Sequence, residues 1–386
     1  MQTPLRILIS CGGTGGHVFP GIATGQILQQ RGHAPSLWLS GRRQVENETL
    51  RGWDGPVFRT GAQPLRLSTL TAFAATLWRV WCQMRLDRPD VVLAMGCYAS
   101  VPPVLAARLL GIPVVLHEAN AVPGKAVAFL ARYARVTALS FGASAAYLPG
   151  RRTVCTGMPV RTSLAGQPPL DGFAPTGTRT SSEDRLRSDY GGQASDHDLP
   201  AATAVPFTVF ITGGSLGAHA VNELACEALL LLHSRGTQIR AIHQCGPADE
   251  ARLRQRYTAA GVDVLTQAFL QEMGRAYTSA DLVICRAGAA TCFELCLCGV
   301  PAIMIPLPTA VRDHQRRNAE AMVQCGGALL RKQADLTPAR LAAEIDTLRN
   351  DPARCATMRR ALQNLAAPDA AEKLAEQVTS LAACRT

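Results

Sequence analysis

Lysine is nearly missing: three of the 39 basic residues are lysines and the rest are arginines. Aromatic residues make up 5% of the chain and do not form the interleaved aromatic and basic cluster of a nucleic-acid stacking platform. No apolar run reaches the roughly 18 residues of a spanning helix without a Gly or Pro breaking it. The first such run, Ile7 to Ile9, is too short for the core of a signal peptide. Thirteen cysteines without a signal peptide and without a C-x-x-C pair read as reduced, mostly buried thiols of a cytoplasmic protein. Cys292, Cys296 and Cys298 lack paired metal spacing and a nearby His, so packing is their expected role. There is no G-x-S-x-G elbow, and no Asp-x-Asp pair follows a strand. The nearest, Asp196-His197-Asp198, sits in a polar stretch, so no metal site of that type is expected.

What is present is enough for two cores: 386 residues, 47% of them hydrophobic. The formal charge of +10 is concentrated in one half. Residues 1–160 carry 16 basic and 6 acidic side chains, whereas the remainder carries 23 of each. A basic half next to a neutral one suits an anionic membrane surface or a phosphorylated substrate.

Short β-rich runs alternate with helical patterns, which predicts α/β architecture with parallel sheets. Strands are expected at Leu5–Ser10, Ser36–Leu39, Val91–Ala94, Val114–His117 and Val136–Leu139. In the second half they are expected at Thr208–Thr212, Ile239–Gln244, Val264–Gln267, Leu282–Cys285 and Ala302–Ile305. Residues 167–206 are rich in Pro, Gly, Ser, Thr and Asp and read as a flexible insertion. Residues 336–383 look like two or three helices broken at Pro352 and Pro368. Residues 7–18, ILISCGGTGGHV, are echoed by 209–221, VFITGGSLGAHAV: a strand, a glycine loop ending in His, then a helix. Two such units suggest a ligand cleft between two domains.

Glycines let backbone approach a ligand, and the helix start after them offers unpaired N–H groups to an anion. The loop Gly12–His17 is therefore a candidate phosphate loop, with a tight strand–helix turn as its alternative. His17 at its end is suited to general-base work, or else to capping and packing. Gly96-Cys97-Tyr98-Ala99-Ser100 and His117-Glu118-Ala119-Asn120 both follow strands, at the edge where open sheets bind ligands. Glu118 could orient His17, act as the base itself, or pair with an arginine. Gly213–Ala218 offers a second helix start. Glu294, three residues beyond Thr291, could grip a diol such as ribose or form a capping box with Thr291. The helical spacing of Leu70, Phe73, Leu77, Trp81 and Met84, with Trp78 and Arg79 alongside, fits either core packing or an interfacial helix.

Taken in order, GGTGGHVFPG, GCYAS, GIPVVLHEAN, TGMPVR, GGSLGA, CRAGAAT-x-x-E and DHQ-x-x-NA resemble the MurG family. These are the peptidoglycan N-acetylglucosaminyltransferases that convert lipid I to lipid II. The resemblance covers nearly the whole chain outside the insertion. It implies a GT-B fold of two Rossmann-like domains: an acceptor domain at 1–160 and a UDP-GlcNAc domain at 161–364. The final helix, about 365–386, would cross back to the first domain. Arg161 and Ser215 would contact the diphosphate and Leu270 would lie near uracil. Ala289, Ala290 and Thr291, with Cys292 and Phe293 behind them, would line the donor pocket. Glu294 would hold the ribose hydroxyls, and His314 and Gln315 would meet the sugar. Thr14, Gly15, Gly16 and Asn120 would reach the donor from the first domain. Gly96, Tyr98 and Ser100 would meet the lipid-diphosphate acceptor.

The resemblance further implies inversion in one displacement, with His17 as base and Glu118 as its support or rival, and with no metal or other cofactor. Leu70, Phe73, Trp78 and Trp81 would touch the anionic inner membrane, placing the enzyme peripherally on its cytoplasmic face. Wall-synthesis proteins are the expected partners, and nucleic acid is not. Cys97 stands where the family usually has glycine. The rivals are another GT-B transferase, a UDP-GlcNAc 2-epimerase and a sugar-nucleotide-binding scaffold.

Overall fold

A computed structural model describes residues 3–13, 15–41, 50, 52–63, 67–160, 164, 166–173, 206–214 and 217–383. The described strands form two all-parallel sheets. The first holds β1 (Arg6–Ser10), β2 (Ala34–Leu39), β3 (Val57–Arg59), β4 (Val91–Ala94), β5 (Val114–Glu118), β6 (Val136–Leu139) and β7 (Thr153–Cys155), in the order β3-β2-β1-β4-β5-β6-β7. The second holds β8 (Phe207–Thr212), β9 (Ile239–Gln244), β10 (Val264–Gln267), β11 (Leu282–Cys285), β12 (Ala302–Met304) and β13 (Ala328–Leu330), in the order β10-β9-β8-β11-β12-β13. The ten expected strands are all present, to within two residues at their ends. Every residue of β4, β5, β6, β8, β9, β11 and β12 is buried, as a sheet covered on both faces requires.

In both sheets the strand order reverses beside the first strand of the domain, between β1 and β4 and between β8 and β11. Loops leaving two strands in opposite directions open a crevice at that point. The loops after β1 and β4 flank the first crevice, and those after β8 and β11 flank the second.

The chain ends in three helices, Pro338–Arg349, Pro352–Leu365 and Ala370–Ala383. The last leaves the second domain and packs on the first. Its Leu374, Ala375, Val378 and Ala382 share one core with Ile7, Ile9, Val18 and Leu93. Burying Leu374 and Val378 is worth about 1.5–3 kcal/mol each.

The helix Leu70–Leu86 turns inward a face that overlaps the C-terminal half of its apolar stripe: Thr76, Val80 and Met84 are buried, with Leu77 and Trp81 packed beside them. Phe73, Leu77 and Trp81 are half-buried, while Leu70 and Trp78 are 50% and 65% exposed. Trp78 stacks on Trp81 with ring centroids 5.1 Å apart, and the Arg85 guanidinium lies 5.0 Å from the Trp81 ring.

Candidate active site

In the first crevice the two glycine loops touch. Gly13 has φ +84°, and a Cβ there would lie 3.0 Å from the Tyr98 ring. Gly96 has φ +72°, and a Cβ would meet the His117 carbonyl oxygen at 2.5 Å, so only glycine lets this loop lie against the end of β5. Cys97, by contrast, is extended at φ −91°, a conformation open to any side chain, with Sγ 3.5 Å from Ser100 Oγ. The residue that departs from the family therefore does not disturb the turn.

His17 opens out of the helix Gly15–Gln30, half-buried, and its Nδ1 lies 2.9 Å from the Met95 carbonyl oxygen at the end of β4. That acceptor assigns the proton to Nδ1 and leaves the Nε2 lone pair to take another. Desolvation holds its pKa below the ordinary value, and His314 of the second domain acts in the same direction. The neutral imidazole therefore prevails near pH 7. Behind it His117 is buried, with Nε2 3.1 Å from Ser140 Oγ, and burial pushes its pKa down to about 4.

Glu118 is buried and its oxygens face its own loop. Oε1 accepts from Asn120 N–H at 2.7 Å and Asn120 Nδ2 at 3.1 Å, and Oε2 accepts from Gly124 N–H at 2.9 Å. Burial raises its pKa to about 7 against these hydrogen bonds. The geometry makes Glu118 the organiser of the His117–Gly124 loop, where the sequence left orienting His17, acting as base and pairing with an arginine all open.

In the second crevice the Gly213 loop is held from β9: Gln244 Nε2 donates to the Gly214 carbonyl at 3.1 Å. Asn222 Nδ2 donates to the Cys245 carbonyl at 2.7 Å and to Asp249 at 2.8 Å. The loop's His219 pairs with Asp249 at 2.9 Å. The internal echo thus preserves topology while giving its two histidines different work. After β11, the helix Ala289–Cys298 starts behind Gly288. Thr291 is its third residue, so it cannot be the cap, and the capping-box alternative for Glu294 is removed. Glu294 instead accepts from the Tyr277 hydroxyl at 2.9 Å.

The crevices face one another through direct bonds. Asn318 Nδ2 donates to Asn120 Oδ1 at 3.2 Å and to the Ala287 carbonyl at 3.1 Å. Arg312 Nη1 donates to the Pro123 carbonyl at 3.1 Å, and Phe141 meets Phe293 edge-on at 4.8 Å. Among the described residues, Arg312 and Asp313 are the non-glycine residues with positive φ, both +55°. Such backbone costs about 1–3 kcal/mol per residue and gathers where function requires it. It sets His314 and Gln315 at the start of the helix His314–Gln324. Gln315 Oε1 accepts the Leu307 N–H at 2.9 Å, and His314 Nδ1 lies 2.7 Å from the Val311 carbonyl.

The structure thus brings Gly15, Gly16, His17, Gly96, Tyr98, Glu118, Asn120, Ala290, Thr291, Glu294, His314 and Gln315 to the facing loops. Thr14, Arg161 and Ser215 lie outside the described residues. Four expected contacts are redirected. Ser100 is buried and donates to the Ser10 carbonyl at 3.0 Å, pinning its loop rather than facing an acceptor. Cys292 and Phe293 lie on the inward faces of their helix, in the second domain's core and against Phe141. Leu270 is buried as well, which turns its side chain into the core. The neighbouring Phe269, which sequence reasoning passed over, is 46% exposed just beyond β10. The only signal is an aromatic two residues beyond the strand, within the run Ala268-Phe269-Leu270. The role of Asn318 is not legible in the sequence, because a partner 198 positions away leaves no local trace.

Two doubly wound parallel sheets whose switch-point loops face each other make up the GT-B fold. Residues 7–139 match the glycosyltransferase family 28 N-terminal domain, and residues 208–374 match its C-terminal domain. A Xanthomonas axonopodis pv. citri relative is 37% identical over 377 residues, 96% of this chain and 80% of the relative. It is named UDP-N-acetylglucosamine--N-acetylmuramyl-(pentapeptide) pyrophosphoryl-undecaprenol N-acetylglucosamine transferase. The crystal structure of Acinetobacter baumannii MurG superposes with TM-score 0.73 at 30% identity, over 98% of this chain and 100% of that one. A UDP-N-acetylglucosamine 2-epimerase shares the fold alone, with TM-score 0.65 and 13% identity over 96% of this chain and 94% of its own. The chain belongs to glycosyltransferase family 28, and within it to the MurG family.

Proposed function

We propose that this enzyme transfers N-acetylglucosamine from UDP-N-acetylglucosamine to the muramyl 4-hydroxyl of an undecaprenyl-diphosphate-linked N-acetylmuramyl-pentapeptide, converting lipid I to lipid II. The observation that carries the mechanism is His17, held through Nδ1 by the Met95 carbonyl and kept neutral by desolvation. Nε2 takes the proton of the attacking hydroxyl as its oxygen lone pair forms the new bond to the anomeric carbon. The bond from that carbon to the diphosphate oxygen breaks, its electron pair leaves with UDP, and the configuration inverts. Asn120, fixed by Glu118 and Asn318, lines the sugar side, and Glu294, fixed by Tyr277, accepts from the ribose hydroxyls.

Helix starts at the Gly213 loop and at Ala289, with Arg161 and Ser215, meet the charge that develops on UDP, a role that needs no metal. Gly96 and Tyr98 face the acceptor diphosphate. The basic first domain rests peripherally on the anionic cytoplasmic face of the inner membrane, with Leu70, Phe73, Trp78 and Trp81 toward the lipid and wall-synthesis enzymes as neighbours. Among the described residues no helix is long and apolar enough to cross a membrane.

The test is incubation of the purified protein with radiolabelled UDP-N-acetylglucosamine and a lipid I analogue, in the presence of a chelator. Label entering the lipid with inverted linkage is the expected result. Donor binding without incorporation, or UDP-N-acetylmannosamine formed from the donor alone, overturns the reading.

A further inference from the structure

The loop that follows β3 does not stay at its own strand. β3 lies three strand spacings from β4, roughly 14 Å across the sheet. Yet Ala62 is buried in one cluster with Cys97 and Ala99 of the loop after β4, and Tyr98 packs against them. Residues 60–62 therefore cross the strand ends on the edge that carries the glycine loops. There they brace the Gly96–Ser100 turn, whose Tyr98 ring lies in turn against Gly13.

The crossing is anchored at its root. Thr60 donates twice to the Leu39 carbonyl, through its N–H at 2.8 Å and its hydroxyl at 2.9 Å, and the Gly61 N–H donates to the Ser40 carbonyl at 2.9 Å. Those bonds use the donors of this stretch and leave its carbonyls to be met from elsewhere. One side chain of the helix Leu70–Leu86 meets them. Arg79 Nη2 donates to the Thr60 carbonyl and lies 3.5 Å from the Arg59 carbonyl oxygen. A charged donor makes the stronger kind of hydrogen bond to such an oxygen. Gly61 has φ +70°, and a Cβ there would come within 2.8 Å of Arg79 Nη2, so glycine leaves the guanidinium its place. Trp78, one position earlier on the helix, stands 65% exposed, whereas Arg79 is turned back onto the loop.

We propose that Arg79 is a positioning residue for the lipid-diphosphate acceptor. By fixing residues 59–62 it holds the Gly96–Ser100 turn in the shape that Gly96 and Tyr98 present to that substrate. It touches neither the substrate nor the reacting atoms. The inference rests on the reading that places the acceptor diphosphate at this turn. The donor is held by the other domain, so the effect of Arg79 falls on one substrate and spares the other.

The test compares Arg79→Gln with wild type and with Arg88→Gln. The control removes the same charge and the same kind of bond, Arg88 Nη2 to the Leu110 carbonyl at 2.7 Å, at the opposite edge of the sheet. Transfer to a short-chain lipid I analogue is measured in detergent, with no bilayer present. In Arg79→Gln the KM for the acceptor rises roughly tenfold or more, while kcat and the KM for UDP-N-acetylglucosamine stay within about threefold. In Arg88→Gln all three stay within about threefold. An unchanged acceptor KM in Arg79→Gln, a rise shared by Arg88→Gln, or a parallel loss of donor affinity overturns the proposal. Calorimetric dissociation constants for the same analogue make the comparison independent of turnover. Wild type that binds the analogue without transferring sugar strikes the proposed function, and the role of Arg79 is then decided by those constants. Wild type that does not bind the analogue at all overturns both.

Discussion

Asn318 holds Asn120 from the other domain, its Nδ2 3.2 Å from Asn120 Oδ1 while its own Oδ1 accepts the Ala121 N–H at 2.8 Å. One buried amide thus fixes the first domain's sugar-side loop against the helix that presents His314 and Gln315. Asn318→Ala leaves the Ala121 N–H and the Ala287 carbonyl without that partner, a cost of about 1–3 kcal/mol for each group left unsatisfied. We expect a lower thermal midpoint and a kcat/KM reduced roughly tenfold or more. A wild-type midpoint together with wild-type turnover would show that the bond does not set the domain orientation.

His17→Ala should reduce kcat roughly 100- to 10,000-fold with little change in donor affinity, the range for loss of a general base. Since the neutral ring is the active form and desolvation lowers its pKa, wild-type activity should hold down to pH 6.5 and fall below it. The measurement is kcat/KM against pH. An acid limb that persists unchanged in the residual activity of His17→Ala would assign it to another group.

Glu294→Gln keeps an oxygen for the Tyr277 hydroxyl but gives up the charge that a diol donates to. KM for UDP-N-acetylglucosamine should rise roughly tenfold to a hundredfold, with kcat retained within a few-fold. A fall in kcat at unchanged KM would place Glu294 in the chemistry instead.

His243 offers a stability switch away from the cleft. It is buried, with Tyr257 Oη 2.9 Å from its Nδ1 and Asn222 Oδ1 3.2 Å from its Nε2, and burial lowers its pKa to about 3. The unfolded chain binds this proton at about pH 6.5, the folded one far lower. Its contribution is therefore complete above pH 6.5 and is lost progressively as pH falls toward 3. Thermal midpoints of wild type and His243→Gln measured across that window should converge on acidification. Parallel curves would remove His243 as a cause of acid sensitivity.

Leu70→Ala/Trp78→Ala truncates two side chains that are half or more exposed and gives up the Trp78–Trp81 stack, so the thermal midpoint should fall by a few degrees at most. Binding to phosphatidylglycerol vesicles should weaken at least tenfold if these groups enter lipid. Unchanged vesicle binding would return the helix to an ordinary surface.

The central strands were legible because each is a short, continuous apolar run bounded by turn residues. β3, β7 and β13 were not, since each has three residues at or near a sheet edge and too little pattern to count. The glycine loops announced the crevices, and position after a strand identified His17 and Glu118. Direction was harder to read. Ser100, Cys292 and Phe293 sit inside site motifs yet point into cores, because neighbouring positions on a helix or a tight turn face different ways. The stripe from Leu70 to Met84 misled in a related manner. Thr76 and Val80, which lie off the stripe, share the buried face with Met84, while the bulky Trp78 stays outside.

The helix Ala370–Ala383 places a segment made after the second domain in the core of the domain made before it. A ribosome delivers β1 to β7 long before Leu374 and Val378 emerge, so the amino-terminal domain must wait, with an apolar groove open, through the synthesis of its neighbour. Its core is thereby closed only after the second domain has been made. A truncation that removes this helix would be felt beneath β1 and β4, hundreds of residues along the chain from the lesion.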